Sequence, residues 1–185
     1  TNTYAPTSDP AAMSSVSIYC NYDGTNHAII GARGTFSISA EVGSIPEVSF
    51  TLVGKYAAPA TVSLPSCTYQ KQASPLIFKN DNVSGFEIFG SSLSLQSWSF
   101  DMNNTTVYRE LIGSTASKEV LITDRSPSGT LSIEAPSLSS KNFFSIATGS
   151  ATGTNKWTHG TTAGNKVEIS CPQTDVNVPF YVESD

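Results

Sequence analysis

Charge is scarce in this chain. Lys, Arg, Asp and Glu make up 14% of its 185 residues, and the ten basic residues are scattered rather than clustered. A protein that grips nucleic acid through its phosphates needs a basic stripe, so a net charge of −5 without one excludes that class. It is still compatible with nucleic acid passing by without being held. Long apolar runs are missing too: none approaches the ~20 residues that a membrane-spanning helix requires. The N-terminus lacks the basic-then-apolar pattern of a secretion signal. Cys20, Cys67 and Cys171 are three widely spaced thiols, which cannot form a closed set of disulfides within one chain. Reduced thiols of a cytosolic assembly fit that count. Neither a CxxC pair nor a Cys/His cluster of zinc spacing occurs, so no metal is expected.

The absences extend to catalysis. His27 and His159 are the only histidines, and neither has an acid or nucleophile at a recognised spacing. Among the many serines there is no G-x-S-x-G elbow, and the thirteen glycines form neither a G-x-G-x-x-G nor a phosphate-binding loop. Asp23, Asp81 and Asp175 lie in turn-like surroundings without the oxygen-rich spacing of a calcium loop. The sequons at Asn82, Asn103 and Asn104 are triplets that a Ser/Thr-rich chain generates by chance. Glu41 and Glu47 meet across a hairpin end in this reading and invite comparison with a glycosidase pair. Like charges on a wet β face seldom share a proton, however, and no aromatic sugar platform accompanies them. No catalytic residue and no cofactor are therefore expected.

What the chain does have is β-pattern. Roughly a quarter of its residues are Ser or Thr and strong helix formers are few, a composition that favours an all-β fold of one domain. The clearest alternation runs from Gly34 to Tyr56. Phe36, Ile38, Ala40 and Val42 point one way and Thr35, Ser37, Ser39 and Glu41 the other. A second arm repeats the pattern, with Val48, Phe50 and Leu52 opposite Glu47, Ser49 and Thr51. Gly43-Ser44-Ile45-Pro46 turns between the arms. The predicted object is a long antiparallel hairpin whose core face is Phe36, Ile38, Val42, Val48, Phe50 and Leu52. Its other face holds only Ser, Thr and Glu. That face reads either as an ordinary wet face of a β-sandwich or as the wall of a water-filled passage along which something negatively charged slides without sticking.

Around this hairpin, residues 1–12 read as an extended arm or linker and residues 13–185 as the domain. The opening Thr1-Asn2-Thr3 reads as a trimmed chain or a piece of a longer one. A strand begins at Val16 and turns at Tyr22-Asp23-Gly24. Pro59, Pro65 and Pro75 mark 57–75 as an extended loop. Short strands are expected at Leu76–Phe78 and Val83–Phe89, with a turn at Asn80-Asp81-Asn82 between them. The stretch from Leu93 to Met102 requires a bulge near Gln96 and Ser97 to bring Leu93, Leu95, Trp98, Phe100 and Met102 to one side. Strands at Thr105–Ile112 and Val120–Thr123 pair, and Asp124–Gly129 turns into a strand through Leu131, Ile133 and Ala135. A single helix is expected over Ser137–Thr148, capped by Ser137 or Ser139 and ended by Gly149. Ser150–Gly164 reads as a loop anchored by Trp157. A strand at Val167–Ser170 and an extended C-terminal arm from Val176 to Val182 follow.

Two blocks carry a family resemblance. Ser97-Trp98-Ser99-Phe100-Asp101-Met102-Asn103-Asn104 through Val107-Tyr108-Arg109-Glu110, then Ile122 to Thr130, resemble the major tail tube proteins of long-tailed bacteriophages (siphophages). Asp23-Gly24, Gly31-Ala32-Arg33-Gly34-Thr35-Phe36, Ile45-Pro46, Phe50 and Gly54-Lys55-Tyr56 are similar to the same family. Together they cover about two thirds of the chain. The resemblance implies two packed antiparallel sheets with one short flanking helix, forming a tail-tube-like β-sandwich or barrel whose long hairpin joins an inner barrel shared among copies. It implies rings, six copies by default, that stack into a conduit for DNA ejection. Thr35, Ser37, Ser39, Glu41, Glu47, Ser49 and Thr51 would line the lumen. The implied partners are the chain itself, a tape measure protein, tail terminator and distal tail proteins, and double-stranded DNA in transit, with no membrane. The implied location is the virion tail, after assembly in the host cytoplasm. Some relatives carry two such domains and form trimeric rings with pseudo-sixfold symmetry, and the missing start leaves open that this chain is only a C-terminal domain, so the ring number stays open. The competing readings are a surface-exposed β-sandwich binding module, carbohydrate-binding or adhesin, using Trp157, Tyr108 and Tyr181, and a hydrolase on a jelly-roll scaffold.

Overall fold

A computed structural model describes residues 2–63, 66, 74–113 and 118–182. Among the described residues the fold is all-β, with 53% strand and 7% helix, and the packed antiparallel sheets form no closed barrel. In chain order the strands are β1 (Val16–Tyr22), β2 (Thr25–Glu41), β3 (Glu47–Thr61), β4 (Val83–Ile88), β5 (Leu95–Asp101), β6 (Asn104–Glu110), β7 (Lys118–Arg125), β8 (Ser128–Ile133), β9 (Gly153–His159) and β10 (Val167–Thr174). The one α-helix among the described residues, α1, spans Phe143–Thr148. The strands form a five-stranded sheet ordered β1-β2-β5-β8 with β3 also on β2, a three-stranded sheet β10-β9-β4, and a two-stranded sheet β6-β7.

The Asp23-Gly24 turn starts the first hairpin. Both residues have positive φ, 46° and 77°, and Tyr22 pairs directly with Thr25. That is the two-residue turn whose twist matches flanking strands, and Asp-Gly is one of the dipeptides that favour it. The ladder from this turn reaches Val16 opposite Ala32, with a register shift between Val16 and Ile18.

The central hairpin is longer than its alternation suggests. β2 begins at Thr25 rather than Gly34, and β3 runs on to Thr61 through Pro59. Pairing with β1 supplies the earlier part of β2 with a ladder that its own irregular pattern does not announce. Among the described residues β3 has a partner on one side only, and an edge strand tolerates a residue without an N–H. The extended loop therefore starts after Thr61 and not at Ala57. Most of its remainder, Cys67 included, lies outside the described residues.

The chain forms two compact units. One comprises Thr1–Ile38, Val48–Ala73 and Phe100–Gly129, the other Ser39–Glu47, Ser74–Ser99 and Thr130–Asp185. In the first, Ala32 and Val120 are buried. The β6-β7 ladder runs from Asn104 opposite Arg125 to Glu110 opposite Lys118. Ion pairs Arg109–Glu119 at 3.0 Å and Lys118–Glu110 at 2.6 Å close its far end. The hydrogen bond to Glu110 and that carboxylate's charge hold the Lys118 ammonium above its ordinary pKa. The Lys118–Glu110 pair is exposed and the Arg109–Glu119 pair half-exposed, so water screens both and they add little stability.

The second unit holds most of the dry core: Ala40, Phe78, Phe86, Ile88, Trp98, Phe143 and Trp157. Trp157 meets Phe78 edge-on at 5.3 Å between ring centroids and Trp98 at 5.4 Å. The sequence placed Trp157 in a loop. It lies instead on β9, the middle strand of its sheet, opposite Phe86 on one side and Ile169 on the other. Its Gly/Thr-rich neighbours hid a strand whose buried positions are Asn155 and Trp157. Leu76–Phe78 forms no strand, yet Phe78 bonds twice to the turn of the central hairpin. The helix is shorter than expected and starts at Phe143. Its cap is Asn142, which accepts a hydrogen bond from the Ser145 amide, while Ser137 serves a preceding turn. Val176–Val182 is not strand, and β10 reaches Thr174 through Pro172.

Candidate functional site

The central hairpin has two chemically distinct faces. Of its polar positions, Thr35 and Ser37 are half-buried, and Ser39, Glu41, Glu47, Ser49 and Thr51 are exposed. None is enclosed in a dry interior. On the apolar side Phe36, Ile38 and Leu52 are half-buried. Val42, Val48 and Phe50 remain 55%, 51% and 67% exposed. The Phe36 ring stands 6.2 Å from that of Phe50 on β3 and 6.1 Å from that of Phe100 on β5. Three adjoining strands thus contribute aromatics to a single face, of which the Phe50 end stays wet.

The turn of this hairpin is held on both sides. Ser44 N donates to Glu41 O at 3.0 Å, and Gly43, with φ of 88°, supplies the conformation that such a turn requires. Gly43 N donates to Phe78 O, Phe78 N to Ser44 O and Val42 N to Gln96 O, at 2.8–3.0 Å. A cavity of about 690 Å³ opens beside it, lined among others by Ser39, Glu41, Glu47, Trp98, Ser99 and Thr130. Glu41 and Glu47 both line it, together with hydroxyls, but no histidine or lysine that could activate one is among the lining residues. Among the described residues no group of three or more His, Cys, Asp or Glu is placed to hold a metal ion.

Two strand edges flank this surface. Among the described residues β3 pairs only with β2, and β8 ends the β1-β2-β5-β8 order. Proteins that stay monomeric blunt such edges with charges, prolines or bulges. β8 has no charge, and β3 carries Glu47, Lys55 and Pro59 along fifteen residues.

Sequence reasoning missed a set of polar residues behind the hairpin. Asn104 donates through Nδ2 to Gly34 O at 2.9 Å, and its amide donates to Thr35 Oγ1 at 3.2 Å. Arg125 Nε donates to Asn104 Oδ1 at 3.2 Å and Nη2 to Thr7 O at 2.9 Å. Arg33 donates to Val120 O at 2.5 Å and to Met13 O at 2.8 Å. These residues fasten β2, β7 and the N-terminal arm together. The signal that could have found them was present, since Arg33, Asn104 and Arg125 all sit within the blocks that carry the family resemblance. The exposed apolar residues of β1 were missed as well, although Val16, Ile18 and Tyr19 show large side chains at both parities.

The binding-module reading loses its central residue here. Trp157 is 2% exposed and cannot stack on a sugar, whereas Tyr108 and Tyr181 are on the surface. Comparison with known proteins bears on the same question. A family model described as phage tail tube protein matches residues 1–184. No curated protein and no solved structure matches the chain.

Proposed function

This chain belongs to the phage tail tube protein family and is a structural component of the virion tail, and from that premise we propose that its copies join through the free edges of β3 and β8 into a ring lined by the polar face of the central hairpin. The observation that carries the reading is the pairing of two open edges with an apolar stripe at Val42, Val48 and Phe50 that a single chain leaves in water. Fully covering a side chain of this kind stabilises by roughly 1.5–3 kcal/mol. Three partly exposed ones per copy therefore contribute on the order of 3–5 kcal/mol once a neighbour covers them. Closing the edges also satisfies backbone groups that a lone hairpin exposes to chance pairing.

In the closed ring Thr35, Ser37, Ser39, Glu41, Glu47, Ser49 and Thr51 face the lumen. Hydroxyls keep that wall wetted, and the two carboxylates repel DNA phosphates, so that a duplex in transit is not retained. Six copies are the default ring, and rings stack into a tube that holds a tape measure protein during assembly in the host cytoplasm. Tail terminator and distal tail proteins close its two ends. The test is electron microscopy of the purified chain, with light scattering alongside. Rings or tubes with an axial channel support the reading, and a monomer at high concentration that binds glycans favours an adhesin instead.

A further inference from the structure

The far end of the central hairpin, away from its turn, is built differently from the rest. There β1, the Thr25–Ala32 part of β2 and the Val53–Thr61 part of β3 form three adjacent strands. Every residue of β1 is exposed. Residues directly opposite each other in a ladder share a face, and successive residues alternate. One face therefore carries Ile18 with Ile29, Cys20 with His27 and Tyr22 with Thr25, and the other Tyr19 with Ala28 and Asn21 with Asn26. The bond from Asn26 Nδ2 to Asn21 Oδ1 at 2.7 Å confirms the assignment of the second face. Tyr22 is 77% exposed on one side and Tyr19 63% on the other. A sheet with large apolar side chains in water on both faces is incomplete alone. The outer edge of β1 has neither a charge nor a proline to discourage pairing.

The position of this end bears on what could cover it. β5 holds β2 further along, where Met102 N donates to Phe36 O and Val42 N to Gln96 O. β1 takes its place from Ala32 back to the turn. The strand order that closes a ring thus passes through the Phe36–Val42 part of β2, and the eight residues Thr25–Ala32 run on for about 27 Å at ~3.3 Å per residue. Three strands ~4.8 Å apart over that length present roughly 400 Å² per face, or about 800 Å² over both, the share that one partner contributes to a standard protein interface.

We propose that this three-stranded end is the docking surface for a second copy of the chain in the adjacent ring, so that rings close through β3 and β8 and stack through β1. The inference rests on the ring reading above. The experiment compares the full chain with a Tyr19→Lys, Tyr22→Lys double variant and a milder Tyr19→Ser, Tyr22→Ser pair, by negative-stain microscopy and sedimentation. Circular dichroism establishes that each is folded. Both pairs are expected to give rings of unchanged diameter, with mean stack length reduced at least tenfold for the lysine pair and less for the serine pair. Folded variants that stack to normal length overturn the assignment. So do variants that remain monomers, because β1 then acts in ring closure. A wild-type chain that forms neither rings nor stacks removes the ring reading and this inference with it, an outcome separate from the other two.

Discussion

A Cβ placed on Gly34 would lie 1.9 Å from the carbonyl oxygen of Thr51, so β2 and β3 approach closer at this point than any other residue permits. The hairpin's geometry hangs on that approach. Gly34→Ala is expected to cost on the order of 3 kcal/mol or more, because the obstruction is backbone and cannot rotate away. Gly85→Ala, where nothing lies within 4 Å of the added carbon, should change stability by about 0.5 kcal/mol at most. Urea unfolding of the two variants checks the contrast, and equal midpoints would refute the close approach.

Proline at Phe50 or Leu52 should abolish assembly. Both lie inside β3, where a missing N–H and a fixed φ break the ladder to β2. Microscopy is the readout, and tubes of normal length from either variant would remove the hairpin from the wall.

Lysine at both Glu41 and Glu47 is expected to leave ring formation intact, since both side chains are exposed on the polar face. The same change turns a wall that repels phosphate into one that attracts it, by four charge units per copy. Virions with such tails should eject DNA more slowly, most visibly at low salt. Unimpaired infectivity would count against the lining assignment.

Arg125→Ala removes the guanidinium that holds both Asn104 and the Thr7 carbonyl. A hydrogen bond from a charged donor contributes about 1.5–3 kcal/mol. The variant should lose stability of that order and expose the N-terminal arm to limited proteolysis before the rest of the chain. Cleavage at an unchanged rate would show that other contacts hold the arm.

In a Cys67→Ser background, alkylation at pH 8 should label the exposed Cys20 well before Cys171. Burial pushes the Cys171 thiol above its ordinary pKa, which lowers the fraction present as the reactive thiolate. The sign for stability follows. The unfolded thiol ionises first, so whatever stability this burial contributes is present below the unfolded pKa and is lost as pH rises through the folded one. Mass spectrometry over time reads the order of labelling, and simultaneous modification would contradict the burial.

Much of the fold was written locally. Asp23-Gly24 dictated its turn through backbone preference, Ser126-Pro127 separated β7 from β8, and alternation from Thr35 to Leu52 marked two faces of one hairpin before any neighbour was known. A pattern of period two says that a strand has two faces, but not which of them another strand will cover. That is why Phe50, drawn from sequence as a core residue, stands mostly in water, and why Trp157, drawn as a loop anchor, is sealed between β4 and β10. The two compact units were equally hidden, since the chain enters and leaves each of them several times. From residues alone came the β class, the turn positions and the absence of catalytic spacing. Which edges stay open, which aromatics stay wet and where β1 takes over from β5 depended on residues far apart in the chain, because burial is decided by what packs against a strand and not by the strand itself.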